Sequence, residues 1–179
     1  IAKGLVEKQF SGKYVADDVE KALGADREEK KKIPDEIEAE FKGTDIAGTR
    51  YEQLLPYTQP LVDADKAFHV ITGAFVTTED GTGIVHIAPT FGADDAQVAR
   101  ENGVPPMQVL DEHGNERPLV DLEGRFVKEM GEFGGKYVKN EYYTDGDAPD
   151  KSVDVEIAIK LKEENKAFKV EKYEHNYPH

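Results

Sequence analysis

Gly81-Thr82-Gly83-Ile84-Val85-His86-Ile87-Ala88-Pro89-Thr90-Phe91-Gly92-Ala93-Asp94-Asp95 is the stretch that decides how the rest of the chain is read. Its first half alternates as a strand over Thr82 to Ala88, with Thr82, Ile84, His86 and Ala88 on one face. Gly83 has no Cβ, so another part of the chain can approach that side closely. Pro89 and Gly92 turn the backbone, and Asp94-Asp95 open a helix expected to run to Asn102 and to close at Gly103. An imidazole at a strand's end and a carboxylate at the next helix's start can face one crevice. There the carboxylate would hold an ammonium group, and the imidazole would bond a hydroxyl or orient a water. The plainer reading stands beside it: His86 is an ordinary strand histidine and Asp94 an N-cap.

Working outward, Phe68 to Ile71 and Ala74 to Thr77 read as strand, with Asp80-Gly81 as a hairpin turn. On the other side Val109, the turn Glu112-His113-Gly114-Asn115 and Leu119-Val120 form a second hairpin. Gly131, Gly134 and Gly135 punctuate a loop before Tyr137-Val138. Ser152 begins a helix to about Asn165 with Val155, Ala158, Ile159 and Leu161 inward, and Phe168 to Tyr173 form a last strand. Short strands mixed with short helices predict an α+β fold, a small closed β-barrel with peripheral short helices.

The amino-terminal part differs in character. Leu5, Val6 and Phe10 suit one or two helical turns. Ala16 to Asp45 holds 11 acidic and 6 basic residues, a net charge of −5. Asp17 with Glu20 has capping-box spacing, and Pro34 starts a second helix whose stripe is Ile33, Ile37 and Phe41, stopped at Gly43. The acidic stretch of about 16–40 is read as a helical insertion in a single domain of 1–179.

The whole chain has 179 residues and a net charge of −14, with 34% charged and 38% apolar residues. A chain this acidic is no general phosphate-binding surface, because bulk nucleic-acid affinity needs cations that displace counterions. Docking of one strand end in a local pocket stays open. No apolar run approaches the ~20 residues of a membrane helix. There is no cysteine, which removes disulfides, thiolate nucleophiles and Cys-based zinc sites. His175 and His179 stand four apart, but Pro178 breaks any helix between them, so no metal site is expected. His69 and His113 read as ordinary strand or surface residues. Gly81-Thr82-Gly83 lacks both the third glycine of a dinucleotide fingerprint and the Gly-Lys-Ser/Thr of a phosphate loop. No Ser, His and acid arrangement announces a nucleophile. With Ile1 first and Tyr177-Pro178-His179 last, the chain reads as a segment of a longer protein.

The motif Gly81 to Pro89, with Gly92 and Asp95, resembles the core motif of the editing domain (connective peptide 1) inserted in isoleucyl-tRNA synthetases. Gly48-Thr49-Arg50-Tyr51 followed by Leu55-Pro56-Tyr57 looks like that family's Gly-x-x-Tyr…Pro segment. Phe133-Gly134-Gly135-Lys136-Tyr137-Val138 is similar to its late glycine loop, and His175-Asn176-Tyr177-Pro178 to the return toward the catalytic core. Related valyl enzymes tend to carry Lys at the place of His86 and leucyl enzymes Met, so His86 and Ala88 favour the isoleucyl family. An editing domain of those enzymes, or a non-enzymatic acidic protein-binding barrel, is the alternative. The family's threonine-rich strand, with Thr beside Trp and Pro, is absent here; the resemblance places it before Ile1.

The resemblance implies a deacylase that hydrolyses valyl-tRNA(Ile), and also valyl-adenylate, within an isoleucine–tRNA ligase. By motif match Asp95 binds the substrate's α-ammonium. His86 lines the side-chain pocket, and Thr82 and Gly83 shape its wall. His86 and Asp95 are the catalytic pair it implies. No cofactor is expected in this module, ATP and Mg belonging to the parent's aminoacylation core. Its partners would be the 3′ end of tRNA(Ile) and the rest of the synthetase, as a monomer in the cytoplasm and away from membranes.

Overall fold

The computed structural model describes residues 1–10 and 37–171. The fold over these residues is α+β, with short helices around small antiparallel pairings. Its centre is a hairpin whose turn chemistry is local. Strand β1, Gln108–Leu110, pairs antiparallel with β2, Glu116–Pro118, with Val109 opposite Arg117. Asp111 fixes the turn: its Oδ1 accepts the backbone N–H groups of His113 and Asn115, both at 2.8 Å. An Asx turn of this kind supplies the chain reversal without help from distant residues.

The hairpin continues as a meander. Val127 N–H donates to the Leu119 carbonyl and Asp121 N–H to that of Arg125, each at 2.9 Å. Phe126 N–H in turn donates to Lys136 O, and Val138 N–H to Gly124 O. Three segments beyond β1 therefore stack edge to edge, 116–121 against 125–127 and then 135–138. A second small pairing joins 48–51 to 68–70 through the Arg50–His69 bridge. Where a strand is expected over Phe68 to Ile71 there is thus an isolated bridge at His69 and no ladder strand.

The main core sits on one side of the meander. Val109, Val127, Met130, Phe133 and Val153 are buried together, with Leu55, Tyr57, Leu119, Phe126 and Ile157 packed on them. Phe133 is 2% exposed, and its ring meets Tyr57 edge-on at 6.0 Å. Gly131 takes φ +57°, and a Cβ there would lie 2.7 Å from the Tyr57 ring. Only glycine allows both the left-handed backbone and that approach.

Three α-helices are present among the described residues. Helix α1, Val6–Phe10, follows a 3-10 turn at Lys3–Leu5. Helix α2, Ala93–Glu101, ends as its sequence predicts: Gly103 has φ +68° and Val104 N–H returns to Ala99 O at 2.8 Å. That geometry satisfies carbonyls the helix itself leaves open. Helix α3, Val153–Glu163, begins after Ser152. Val153 and Ile157, one turn apart, face the core, while Val155, Ala158, Ile159 and Leu161 are half-buried. The Lys160 ammonium holds Glu132 at 3.1 Å and Glu164 at 2.8 Å, tying α3 to the loop beneath it.

Several expectations need correction. Residues 37–42 are not helical, and Ile37 and Phe41 are 57% and 65% exposed. Their spacing suits a helix, but the stripe meets no apolar surface among the described residues, and propensity alone rarely holds so short a helix. Ala74 to Thr77 begins in a turn rather than a strand. Thr82 to Ala88 forms no ladder strand, and Phe168 to Val170 none either. Among the described residues the one named sheet has two strands, and no closed barrel is seen. The paired spacing at Asp17, the start at Pro34, and the motifs from Tyr173 to His179 lie outside the described residues. No described helix is long and apolar enough to cross a membrane.

Candidate functional site

The motif opens in a turn clamped by the amino-terminal segment. Ala2 N–H donates to Thr82 O at 2.7 Å. The buried Gln9 side chain donates its amide to Gly81 O, and Lys8 pairs with Asp80 at 3.0 Å. Gly83 has φ +78°, and a Cβ there would stand 2.7 Å from the Ala2 Cβ. The close neighbour that Gly83 admits is therefore Ala2. Thr82 turns its hydroxyl back on the chain, donating to Ile84 O at 3.1 Å.

Beyond the turn the chain runs extended and open. Ile84 is 58% and Val85 52% exposed, and His86 is exposed beside them with no hydrogen bond to its imidazole among the described residues. The extended run ends at Ala88. Its carbonyl accepts N–H bonds from Phe91 at 3.0 Å and Gly92 at 3.2 Å, which closes the turn. Its own N–H donates to Asp95 Oδ2 at 2.9 Å.

Asp95 is half-buried in the first turn of α2. Its carboxyl folds back under the turn, and a Cβ on Gly92 would meet it at 2.9 Å. Gly92 is the N-cap of α2 and no side chain caps it. This corrects the expectation for Asp94, which lies exposed in the first turn. Both carboxylates favour the positive helix end, but only Asp95 bonds the preceding chain. One Asp95 oxygen is spent on Ala88. The other accepts no hydrogen bond among the described residues.

The structure thus ties Asp95 to Ala88, two residues along the run from His86. Thr82 and Gly83 sit at the other end of the run, engaged by the amino-terminal segment. Gly83 signals a close neighbour in the sequence, and the structure identifies that neighbour as Ala2. Among the described residues no group of three or more His, Asp or Glu could hold a metal ion.

A groove of about 830 Å³ lies on the meander, lined among others by His113, Arg117, Asp121, Arg125 and Lys128. None of residues 81–95 lines it. Some of its charges have partners, while the buried Nε atoms of Arg117 and Arg125 bond nothing among the described residues. Arg117 faces Glu129 at 3.6 Å, Arg125 faces Glu123 at 3.3 Å, and Asp121 Oδ1 accepts the Glu123 and Arg125 N–H groups.

No protein-family model matches the chain. Relatives are close nonetheless. The chain is 54% identical along its whole length to an isoleucine–tRNA ligase of Cytophaga hutchinsonii. It is 44% identical, again along its whole length, to one of Bacteroides fragilis. To an isoleucine–tRNA ligase of Thermoplasma acidophilum it is 36% identical over 76% of its length. It spans 16% of the length of the first two relatives and 11% of the third. From end to end, this chain is homologous to a segment of isoleucine–tRNA ligases.

Proposed function

We propose that this chain is the editing module of an isoleucine–tRNA ligase, hydrolysing valyl-tRNA(Ile) at the crevice between His86 and Asp95. One observation carries the reading. In a chain homologous throughout to these ligases, the motif's carboxylate is fixed by Ala88 N–H, two residues along the run from the exposed His86, with one oxygen bonded to nothing among the described residues.

The chemistry that such a module answers is general. One methylene is worth only ~1–3 kcal/mol to an apolar pocket, a limit for which isoleucine against valine is the standard illustration. A second site that admits only the smaller ester raises fidelity beyond that limit. Asp95 would hold the α-ammonium by a charge-assisted bond, which fixes where the amino-acid side chain points. His86 would line that direction and reject the larger isoleucine. Water attacks the ester carbonyl, the terminal ribose oxygen leaves, and the proton released by the water passes to it. Positioning of the water and stabilisation of the oxyanion supply the rate. Thr82 and Gly83 would form the wall of the pocket.

On this reading the meander and the 48–51/68–70 pair are staves of a closed barrel, the acidic 16–40 is an insertion, and 1–179 is one module. ATP and Mg act in the ligase's aminoacylation core. The acidic module meets only the 3′ end of tRNA(Ile), while the rest of a monomeric, cytoplasmic synthetase holds the tRNA body. The test is deacylation of pre-charged valyl-tRNA(Ile) by the full-length ligase carrying Asp95→Ala. Loss of hydrolysis with aminoacylation retained supports the assignment, and an unchanged rate overturns it.

A further inference from the structure

The groove on the meander gathers cations that their own chain meets incompletely. Of its three acids, Asp111 and Asp121 are turned onto backbone. Asp111 Oδ1 accepts the N–H groups of His113 and Asn115, and Asp121 Oδ1 those of Glu123 and Arg125. Glu112, the third, is exposed. Against them stand Arg117, Arg125 and Lys128. Arg117 reaches Glu129 only at 3.6 Å, and the buried Nε atoms of Arg117 and Arg125 have no acceptor among the described residues. Buried donors in folded proteins nearly always have one, so two without it in a single groove call for an acceptor from outside. The Arg125 guanidinium is fixed in place: it lies 4.5 Å over the Tyr137 ring and donates to the Tyr137 hydroxyl at 2.6 Å. Beside it stands an open ring. Tyr142 packs on Gly124, where a Cβ would meet it at 2.6 Å, yet the residue is 48% exposed. Cations that can follow a phosphate backbone, next to a ring on which a base can stack, are the parts of a single-strand site.

We infer that this groove, with Tyr142 beside it, is a subsite for an RNA strand, its phosphates on Arg117, Arg125 and Lys128 and one base on Tyr142. The identity of the strand rests on the proposed editing role: it is the tRNA strand whose end enters the crevice between His86 and Asp95. The placement agrees. Thr90, in the turn that closes the motif, donates its hydroxyl to Met107 O at 3.0 Å and accepts Met107 N–H at 3.1 Å. From there β1 runs directly to Leu110, which lines the groove. Residues 107 to 110 span about 10 Å of extended chain, which a few nucleotides bridge. A net charge of −14 is compatible with this, because counterion displacement needs cations only where the strand lies.

Heteronuclear NMR on the 179-residue chain tests the site without any turnover. A short single-stranded RNA should shift the Nε–H signals of Arg117 and Arg125. Arg117→Gln and Lys128→Gln should each weaken RNA binding and lower its salt dependence by about 0.7 in slope. Tyr142→Leu should weaken binding about fivefold or more with the salt dependence kept. Lys151→Gln, the same charge change at an exposed site outside the groove, should change nothing. Absence of the Nε–H shifts at saturating RNA overturns the inference. So do shifts produced by inorganic phosphate but not by RNA, which mark a small-anion pocket, or equal losses from Lys151→Gln and Lys128→Gln, which mark bulk charge alone. Lys128 and Tyr142 are exposed, so their variants report on binding even where Arg117→Gln unsettles the fold. RNA in the groove without valyl-ester hydrolysis by the full-length ligase leaves the subsite standing and removes the editing role; hydrolysis without RNA in the groove removes the subsite alone.

Discussion

Replacing Asp95 by Asn in the full-length ligase separates its two duties. The carboxylate bonds Ala88 N–H with one oxygen at 2.9 Å and leaves the other open. An asparagine keeps a carbonyl oxygen for Ala88 but loses the charge. The turn should therefore survive, with only the ~0.3–1 kcal/mol that an acidic side chain gains at a helix N-terminus being lost. The substrate ammonium would lose a charge-assisted hydrogen bond, worth about 1.5–3 kcal/mol. At about 1.4 kcal/mol per tenfold, that is a fall of about 10- to 150-fold in kcat/KM for valyl-tRNA hydrolysis. Asp95→Ala should lose at least as much activity, and it also strands the Ala88 N–H at about 1 kcal/mol. For a chain of this size that corresponds to a drop of about 2–4 °C in melting temperature. Deacylation of pre-charged tRNA with purified ligases, beside melting curves of the 179-residue variants, measures both. Full hydrolysis by the Asn variant would refute the ammonium anchor. An Ala variant that melts normally would refute the turn bond.

Four further outcomes are expected. His86→Ala in the full-length ligase should narrow the preference for valyl- over isoleucyl-tRNA hydrolysis while the melting temperature barely moves, because His86 is exposed; an unchanged preference removes it from the sieve. Gly83→Ala should cost about 1–2 kcal/mol for its left-handed backbone, with more from the clash 2.7 Å away at Ala2, and should speed amide exchange over Leu5–Phe10. Phe133→Ala, at 2% exposure, should cost about 3–5 kcal/mol in denaturant unfolding. Hydrogen bonds from Lys160 and then Lys166 hold the Glu164 carboxyl down to about 2. A lowered folded value means its contribution is fully present above the ordinary carboxylate range near 4.5 and is lost as pH falls from there toward 2; in acid unfolding the stability gap between the chain and Glu164→Gln should hold steady above that window and close within it.

The parts of this fold that the sequence discloses are those written in local chemistry. Asp111, Gly114 and Asn115 specify their own turn, and Gly103 ends α2 whatever packs on it. Ser152 marks the start of α3 because the backbone changes there, although its hydroxyl turns to Asp154 rather than to a cap. What is illegible depends on distant partners. Thr82 to Ala88 has the alternation of a strand, but a ladder needs a neighbour, and alternation names none. Ile37 and Phe41 have helical spacing without a surface to bury it. At the candidate site the residue types were readable from the motif, but the bond from Ala88 to Asp95, the N-cap at Gly92 and the seat of Ala2 on Gly83 were not. Each joins residues through a turn or across the chain, where spacing carries no signal.

The most direct measurement compares hydrolysis of pre-charged valyl-tRNA(Ile) and isoleucyl-tRNA(Ile) by the full-length ligase that contains these residues. The account predicts rapid loss of the valyl ester, near-background loss of the isoleucyl ester, and collapse of that difference with Asp95→Asn while aminoacylation persists. Equal rates for the two esters, or hydrolysis indifferent to Asp95, would contradict it.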